Sequence, residues 1–521
     1  MRFSLRFDTL ARYLIPSSLF YLALPYLIFF VGWLKWYLAL VCVGLVVLPL
    51  LYCIRKTEQM VETGQEQPSG SLFSIRHVIL VLLICILFLG ISGVGGYGYQ
   101  DTDWLKHNAI LKDLIERPWP VVYRLEGQAA PLVYYIAYYL PAALLGKLGG
   151  WRLANQVLFA WSWIGLALAL LWFITLNRRA AFTVVLLFVM FSGLDVIGQM
   201  VTRSIVAPIR PEVRAILSWN HIEQWSIGWQ YSSNATLLFW VPHQALAGWI
   251  ASGLLLYAIL YSPQRKHSLF YLSLTALWSP FVTIGLIPYI LAEFLLEDGA
   301  WLTRLKRDIS WPNLGGLGLL LVIGLYYSAK LYQVSPLSKS DIPHGFSLSF
   351  ALDAQAKIIG LALIPVFCLL EFGLYSVFIY RAKQDWDVRT KTLFATTFIC
   401  LSLIPFYRYG GVNDFVMRAS IPALFVLAIF LGRALYSQSL SSLVRIVVTV
   451  LIILGSVTAL VEFRRHVVGI CNARTIFQLP AKSQVMSVDQ WGLSTEKQAM
   501  ITLQYVGSAQ SPFFELMTKA H

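Results

Sequence analysis

The feature that most constrains this chain is its succession of apolar runs. Many reach the roughly 18–20 residues that a helix needs to cross about 30 Å of hydrocarbon. In lipid the backbone must pair its own polar groups, so helices are the default spanning element. The sequence therefore predicts an all-α polytopic membrane protein. Its composition agrees: 58% of the 521 residues are hydrophobic and 13% charged, with mean hydropathy +0.67, whereas soluble domains are nearer a quarter charged. No short apolar core followed by an A-x-A-like site is visible near the start, so the first run reads as a retained helix. The net charge of +14 reads as the Lys/Arg bias of cytoplasmic loops, not as a nucleic-acid surface. Of the six cysteines, five lie in apolar runs and Cys471 in a polar tail. None forms a C-x-x-C pair, so neither a zinc site nor a disulfide framework is indicated. Most of the abundant aromatics flank apolar runs, as interfacial belts do.

Basic loops orient the helices. MRFSLRFDTLARY carries three arginines and predicts a cytoplasmic N-terminus. Helices at about 14–33 and 36–54 form a hairpin across WLKW, the polar linker 55–77 returns to the cytoplasm, and a helix at about 78–95 exits on the far face. The run PLVYYIAYYLPAALLGKLGG, 131–150, is read as a helix lying in the interface and broken by Pro141. If it spanned, NRR at 177–179 would fall outside, against the positive-inside bias. Residues 95–152 then form one large external loop with surface-lying helices. Further helices are expected at about 153–176, 180–199, 235–261, 314–332, 357–380, 392–407, 419–436 and 444–461. Residues 269–296 carry two short helices or a re-entrant pair, split at Ser279-Pro280. Loops 261–268, 301–308 and 381–391 fall inside; 200–234, 333–356 and 408–418 fall outside. This gives about 11–13 crossings and three parts: a hairpin and linker (1–77), a transmembrane module (78–461) and an external tail (462–521). No sequence repeat is visible.

Polar candidates crowd onto the external side: Asp101, Asp103, Lys106, His107, Asp113, Glu116, Asp195, His221, Glu223, His243, Arg408, Asn413, Asp414 and Arg418. Of eight histidines only His77 and His267 fall inside. This one-sidedness points to a site opening outward. In GYGYQDTDWLKHN, 96–108, an acidic pair follows a spanning helix directly, with Lys106 and His107 one turn on. D-x-D chelates metal in soluble nucleotide-sugar transferases; the bland alternative is a solvated loop. An aspartate held there against apolar surface is expected to have a raised pKa and to act as a general base toward a hydroxyl. In RYGGVNDFVMRAS, 408–420, Arg408 and Arg418 flank Asn413 and Asp414, and two glycines free the backbone. Convergent guanidinium groups, loop amides and a helix N-terminus suit a phosphate, against a plain Asn/Asp cap with snorkelling arginines. His243 in WVPHQALAGW is an intramembrane ionisable group expected to face a cavity, unless a neighbouring helix satisfies it. HIEQWSIGWQY, 221–231, mixes acids with tryptophans as sugar-stacking surfaces do. Glu371 and Glu293 receive no role.

A helix, an acidic pair just outside it, an interfacial helix and a helix ending in a basic turn together resemble the GT-C superfamily. That group comprises polytopic glycosyltransferases, including protein O-mannosyltransferases, aminoarabinose transferases and oligosaccharyltransferases. The resemblance covers roughly the first two-thirds of the chain. The first two helices look like an addition to that module, and D-T-D replaces the usual D-E, D-D or single Asp. It implies a GT-C-like fold in the bacterial inner membrane with an active site on the periplasmic face. The implied reaction moves a sugar, with inversion, from a polyprenyl-phosphate donor to a hydroxyl of a glycan, lipid or protein acceptor. Asp101 or Asp103 then serves as base. Arg418, Lys106, His243 and Arg408 hold the donor phosphate, and His107, His221, Glu223, Asn413 and Asp414 contact acceptor or sugar. No cofactor is required, and a divalent cation at Asp101 and Asp103 stays open. The alternatives are an O-antigen-type ligase or polymerase using diphosphate-linked glycans, and a lipid or glycan transporter, which polar groups near the midplane would favour.

Overall fold

The computed structural model describes every residue except 1–3, 6, 63–72, 126, 180–181, 216, 262–266, 333–343, 351–352, 384–385, 411–412, 494–501 and 520–521. Parts of the linker 55–77, of the basic loop 261–268, of loops 333–356 and 381–391 and of the tail thus lie outside the described residues, as does the second glycine of the 408–420 cluster.

β1 (Ser4–Leu5) pairs antiparallel with β2 (Phe73–Ser74), closing the hairpin of α1 (Phe7–Trp33) and α2 (Trp36–Glu62). α3 (Ile75–Gly90) leads into a glycine-rich turn. There Gly98 takes φ +85, and a side chain on it would meet the Ile91 carbonyl carbon at 2.3 Å, so only glycine lets the chain fold back this tightly. α4 (Asp103–Glu116) follows, then a hairpin of β3 (Val122–Leu125) and β4 (Gln128–Pro131). α5 (Leu140–Asn177) carries Pro141 in its first turn, where a proline costs no hydrogen bond. Pro141 therefore starts this helix; the bend comes at Gly150, φ +76.

The expected helix at 180–199 is two pieces, α6 (Phe182–Met190) and α7 (Asp195–Val201), and that at 235–261 is α8 (Asn234–Trp240) and α9 (Pro242–Tyr261). Residues 269–296 hold two helices, α10 (Ser268–Ser273) and α11 (Pro280–Leu295). After these come the short amphipathic α12 (Trp301–Asp308), α13 (Trp311–Ser328) and β5 (His344–Phe346). α14 (Ala354–Cys368) runs through a π-helical turn, Leu369–Gly373, into α15 (Leu374–Arg381). α16 (Val388–Leu403), β6 (Tyr407–Tyr409, paired with β5), α17 (Asp414–Ala419), α18 (Ile421–Leu435) and α19 (Ser442–Ala473) complete the chain of elements. Side-chain caps start many of these helices: Ser233, Ser279, Ser310, Asp353, Asp387 and Ser441 each accept a hydrogen bond from an amide of the first turn.

Among the described residues, eight helical stretches are long and apolar enough to cross a membrane, and α3, α11 and α18 are shorter apolar helices. The protein is an all-α polytopic membrane protein. Aromatic stacking anchors its centre: Tyr21 on α1 lies 4.1 Å from Trp161 on α5 and 5.3 Å from Trp278.

The residues after α19 are not a loose tail. Asp113 on α4 accepts hydrogen bonds from Ser487 Oγ (2.6 Å), the Val488 amide (2.9 Å) and Tyr123 (2.8 Å), while Arg117 meets Asp489 at 2.8 Å. Burial pushes the Asp113 carboxyl upward against these partners. Further along, the Val133 amide donates to Tyr505 O, and Lys35 Nζ donates to Leu516 O at the α1–α2 turn. Residues 474–493 and 502–519 form a strap across α4, the β3–β4 hairpin and the ends of α1 and α13.

Candidate functional site

Segments distant in sequence converge on one cavity of about 370 Å³: the first turn of α4, the loop 221–231 with α8, and the β6–α17 corner. Asp103, His221, Gln230, Arg408, Asn413 and Arg418 supply its polar lining, with Trp229, Trp240 and Met417 as apolar walls. Five of the sequence-predicted site residues thus share one space.

The β6–α17 corner is built for close approach. Asn413, φ +62, starts α17 and donates from Nδ2 to Gly228 O at 2.9 Å, tying the corner to the loop across the cavity. Gly410, φ +87, would place a side chain 2.7 Å from Asp414 Oδ2. Arg418, one turn on, is 8% exposed, lies 3.9 Å from Asp414, and its Nε has no hydrogen-bond partner. Arg408 reaches Gly410 O at 3.4 Å. Two guanidinium groups therefore border the same space.

Asp103 faces them as the first residue of α4. Its carboxylate meets Lys106 Nζ at 2.6 Å, the two side chains being 27% and 18% exposed. Burial alone would raise the Asp103 pKa, but the cations Lys106 and Arg418 outweigh it and hold the carboxyl below its ordinary value. The expected raised pKa is therefore corrected: a paired cation keeps this group ionised.

Asp101 turns the other way, into an ion pair with Arg465. Arg465 meets Glu462 at 3.1 Å, and Glu462 accepts from His221 Nδ1 at 2.8 Å and from Trp240 Nε1 at 3.3 Å. The result is a charged chain, Asp101–Arg465–Glu462–His221, ending at the cavity. Burial works against the imidazolium at His221, yet Glu462 and Glu223 overcome it and raise the His221 pKa. Glu462 and Arg465 escaped the sequence reading because α19 continues to Ala473, beyond the expected end near 461. Their i, i+3 spacing on a helix was the available signal.

Other predicted residues stand behind the walls. His107 is buried, with Nδ1 2.5 Å from Tyr139 Oη and Nε2 2.9 Å from Trp240 O. A carbonyl only accepts, so Nε2 carries the proton; burial and Lys106 push the pKa down to about 3, and the ring is neutral. His243 is also buried, and neither of its ring nitrogens has a hydrogen-bond partner. It lies among the rings of His107, Tyr134, Tyr135, Tyr138 and Tyr139. Glu223 braces the cavity wall from beneath, accepting from Gln230 (2.6 Å), Thr236 (2.7 Å) and the Ser233 amide (2.8 Å); burial pushes its carboxyl up to about 7. Glu116 pairs with Lys482 of the strap at 2.7 Å. Among the described residues no three His, Cys, Asp or Glu side chains are grouped to hold a metal ion, and Asp101 and Asp103 answer to different cations.

Fold and site together define a multi-pass integral membrane protein with a polar, arginine-bordered cavity among its connecting loops. No family model matches the chain, and no curated protein or solved structure matches it.

Proposed function

We propose that the cavity is the active site of an integral-membrane glycosyltransferase of GT-C type, using a polyprenyl-phosphate sugar as donor. The observation that carries this reading is the meeting of Arg408 and Arg418 with the ionised Asp103 around one space. The arginines neutralise the phosphate; Asp103 accepts the proton of the acceptor hydroxyl as its oxygen attacks the anomeric carbon. The bond from that carbon to the phosphate oxygen breaks, and the polyprenyl phosphate leaves with the electron pair, inverting the configuration. His221, held by Glu462, also lines the cavity and is placed to contact sugar hydroxyls, with Trp229 and Trp240 as stacking surfaces. The Asp103–Lys106 pair makes Asp103 a weak base until an acceptor displaces the ammonium. In this reading the cavity opens to the periplasm of a bacterial inner membrane, with the chain crossing 11–13 times.

Native mass spectrometry of the purified protein with added polyprenyl phosphate tests it. The expected result is an adduct on the wild type and on Asp103→Asn that is lost from Arg418→Ala. Absence of the adduct from all three removes the donor. A second reading, a lipid or glycan transporter, draws support from the interruption of the 182–206 span between α6 and α7, since transporters place ion sites at such breaks.

A further inference from the structure

The break between α6 and α7 brings together two acids that the proposed transfer does not use. Asp195 opens α7, and Glu371 sits in the π-helical turn between α14 and α15; both lie well inside apolar spans, with 0% and 1% exposure. The Leu194 amide donates to Leu370 O at 3.1 Å, joining the broken helix to the π-turn. Gly193 makes this approach feasible, because a side chain there would fall 2.0 Å from Glu371 Oε2. Interrupted helices and π-turns are costly inside a membrane, where every backbone group needs a partner, and they concentrate at functional positions.

The hydrogen bonds around the pair are uneven. Asp195 Oδ2 accepts from Ser192 Oγ at 2.9 Å and from Thr458 Oγ1, on α19, at 2.7 Å. Glu371 Oε1 accepts from Trp225 Nε1 at 3.0 Å. Asp195 Oδ1 and Glu371 Oε2 are buried and, among the described residues, receive no donor, and the two carboxyls are neighbours. Tyr375 does not help, since its hydroxyl is directed to Ser192 O and Leu451 O. Glu223, a third acid, is also close enough to act on Glu371. Among the described residues, the groups that hydrogen-bond to the pair are thus two hydroxyls and an indole, none of them a cation. Two carboxylates so placed would each be desolvated and would repel, which a single hydrogen between the bare oxygens relieves.

We propose that Asp195 and Glu371 together bind one exchangeable proton inside the membrane domain, shared between Oδ1 and Oε2. The ligand is a proton rather than a metal ion, because two bare oxygens from two acids make a poor coordination shell for a divalent cation. This site is independent of the use made of the cavity and stands equally under transfer or transport.

Infrared spectroscopy of the full chain in lipid nanodiscs tests the proposal. At pH 9 Glu223 is ionised, so the wild-type spectrum is expected to keep a protonated-carboxyl carbonyl band that shifts in deuterium oxide. Difference spectra against Glu371→Gln and against Asp195→Asn, each replacing an acid by a neutral isostere, are expected to show loss of that band. The difference against Glu223→Gln is expected to be flat at pH 9. A wild type with no such band overturns the proposal without any variant, as does a band that survives both amide substitutions. Loss of the band in sodium chloride but not in choline chloride identifies a sodium site instead and overturns it too.

Discussion

Asp103 and Asp195 are alike in local sequence terms: each is the first residue of a helix, α4 or α7, where the helix dipole favours a negative charge. Their surroundings part them. Asp103 keeps a quarter of its side chain exposed and has Lys106 one turn away. Asp195 is sealed, and its partners are hydroxyls and a second acid. A carboxyl in apolar surroundings stays charged if a cation can reach it and keeps a proton if none can. The same residue type thus serves as an anionic wall in one place and as an acid in the other.

The contrast can be broken most severely at Gly193. Gly193→Ala forces a methyl group onto Glu371 Oε2, and overpacking of this kind costs about 3 kcal/mol; a clearly lowered unfolding temperature in detergent is expected, and an unchanged one would mean that Glu371 does not approach Gly193 closely.

Glu223 gives the next effect. Folded, it holds its proton to about pH 7; unfolded, only to its ordinary 4.5. The folded chain therefore binds the extra proton between these values. The contribution of Glu223 to stability is full below pH 4.5 and is lost as pH rises to about 7, by on the order of 3 kcal/mol. Unfolding temperatures measured from pH 5 to 8 should decline in the wild type and flatten in Glu223→Gln.

On the cavity side, Arg418→Ala removes one charge-assisted phosphate contact, about 2 kcal/mol or roughly thirtyfold in affinity, read as polyprenyl-phosphate binding by titration. The smallest effect belongs to Asp414→Ala. The Asp414–Arg418 pair is long, 3.9 Å, with Asp414 39% exposed, so less than about 1 kcal/mol is expected in thermal stability.

Much of this was legible in the sequence, for particular reasons. The apolar runs gave the spans, because hydropathy reports a cost that every residue in lipid must meet. Asp103, His221, Arg408, Asn413 and Arg418 could be picked out because polar groups beside apolar runs stand out in composition, and they do converge. His107 and His243 carried the same signal yet face inward, since the tyrosines around them come from 134–139, a contact that no local pattern shows. Asp195 and Glu371 are lone acids in separate spans, and only the packing of α7 against the π-turn pairs them. The β3–β4 hairpin was missed because much of what holds it lies in the strap, nearly four hundred residues on.

That strap has a consequence for the order in which the protein is made. The strap's residues 487–489 follow every candidate span among the described residues, yet they pin down α4, the helix that presents Asp103. While the ribosome is still delivering the strap, the spans can already be threaded into the bilayer, but α4 lacks the partners of Asp113 and Arg117. The cavity is therefore finished last, after membrane insertion is over, so a nascent chain arrested before residue 485 would be embedded and helical with its site still unassembled.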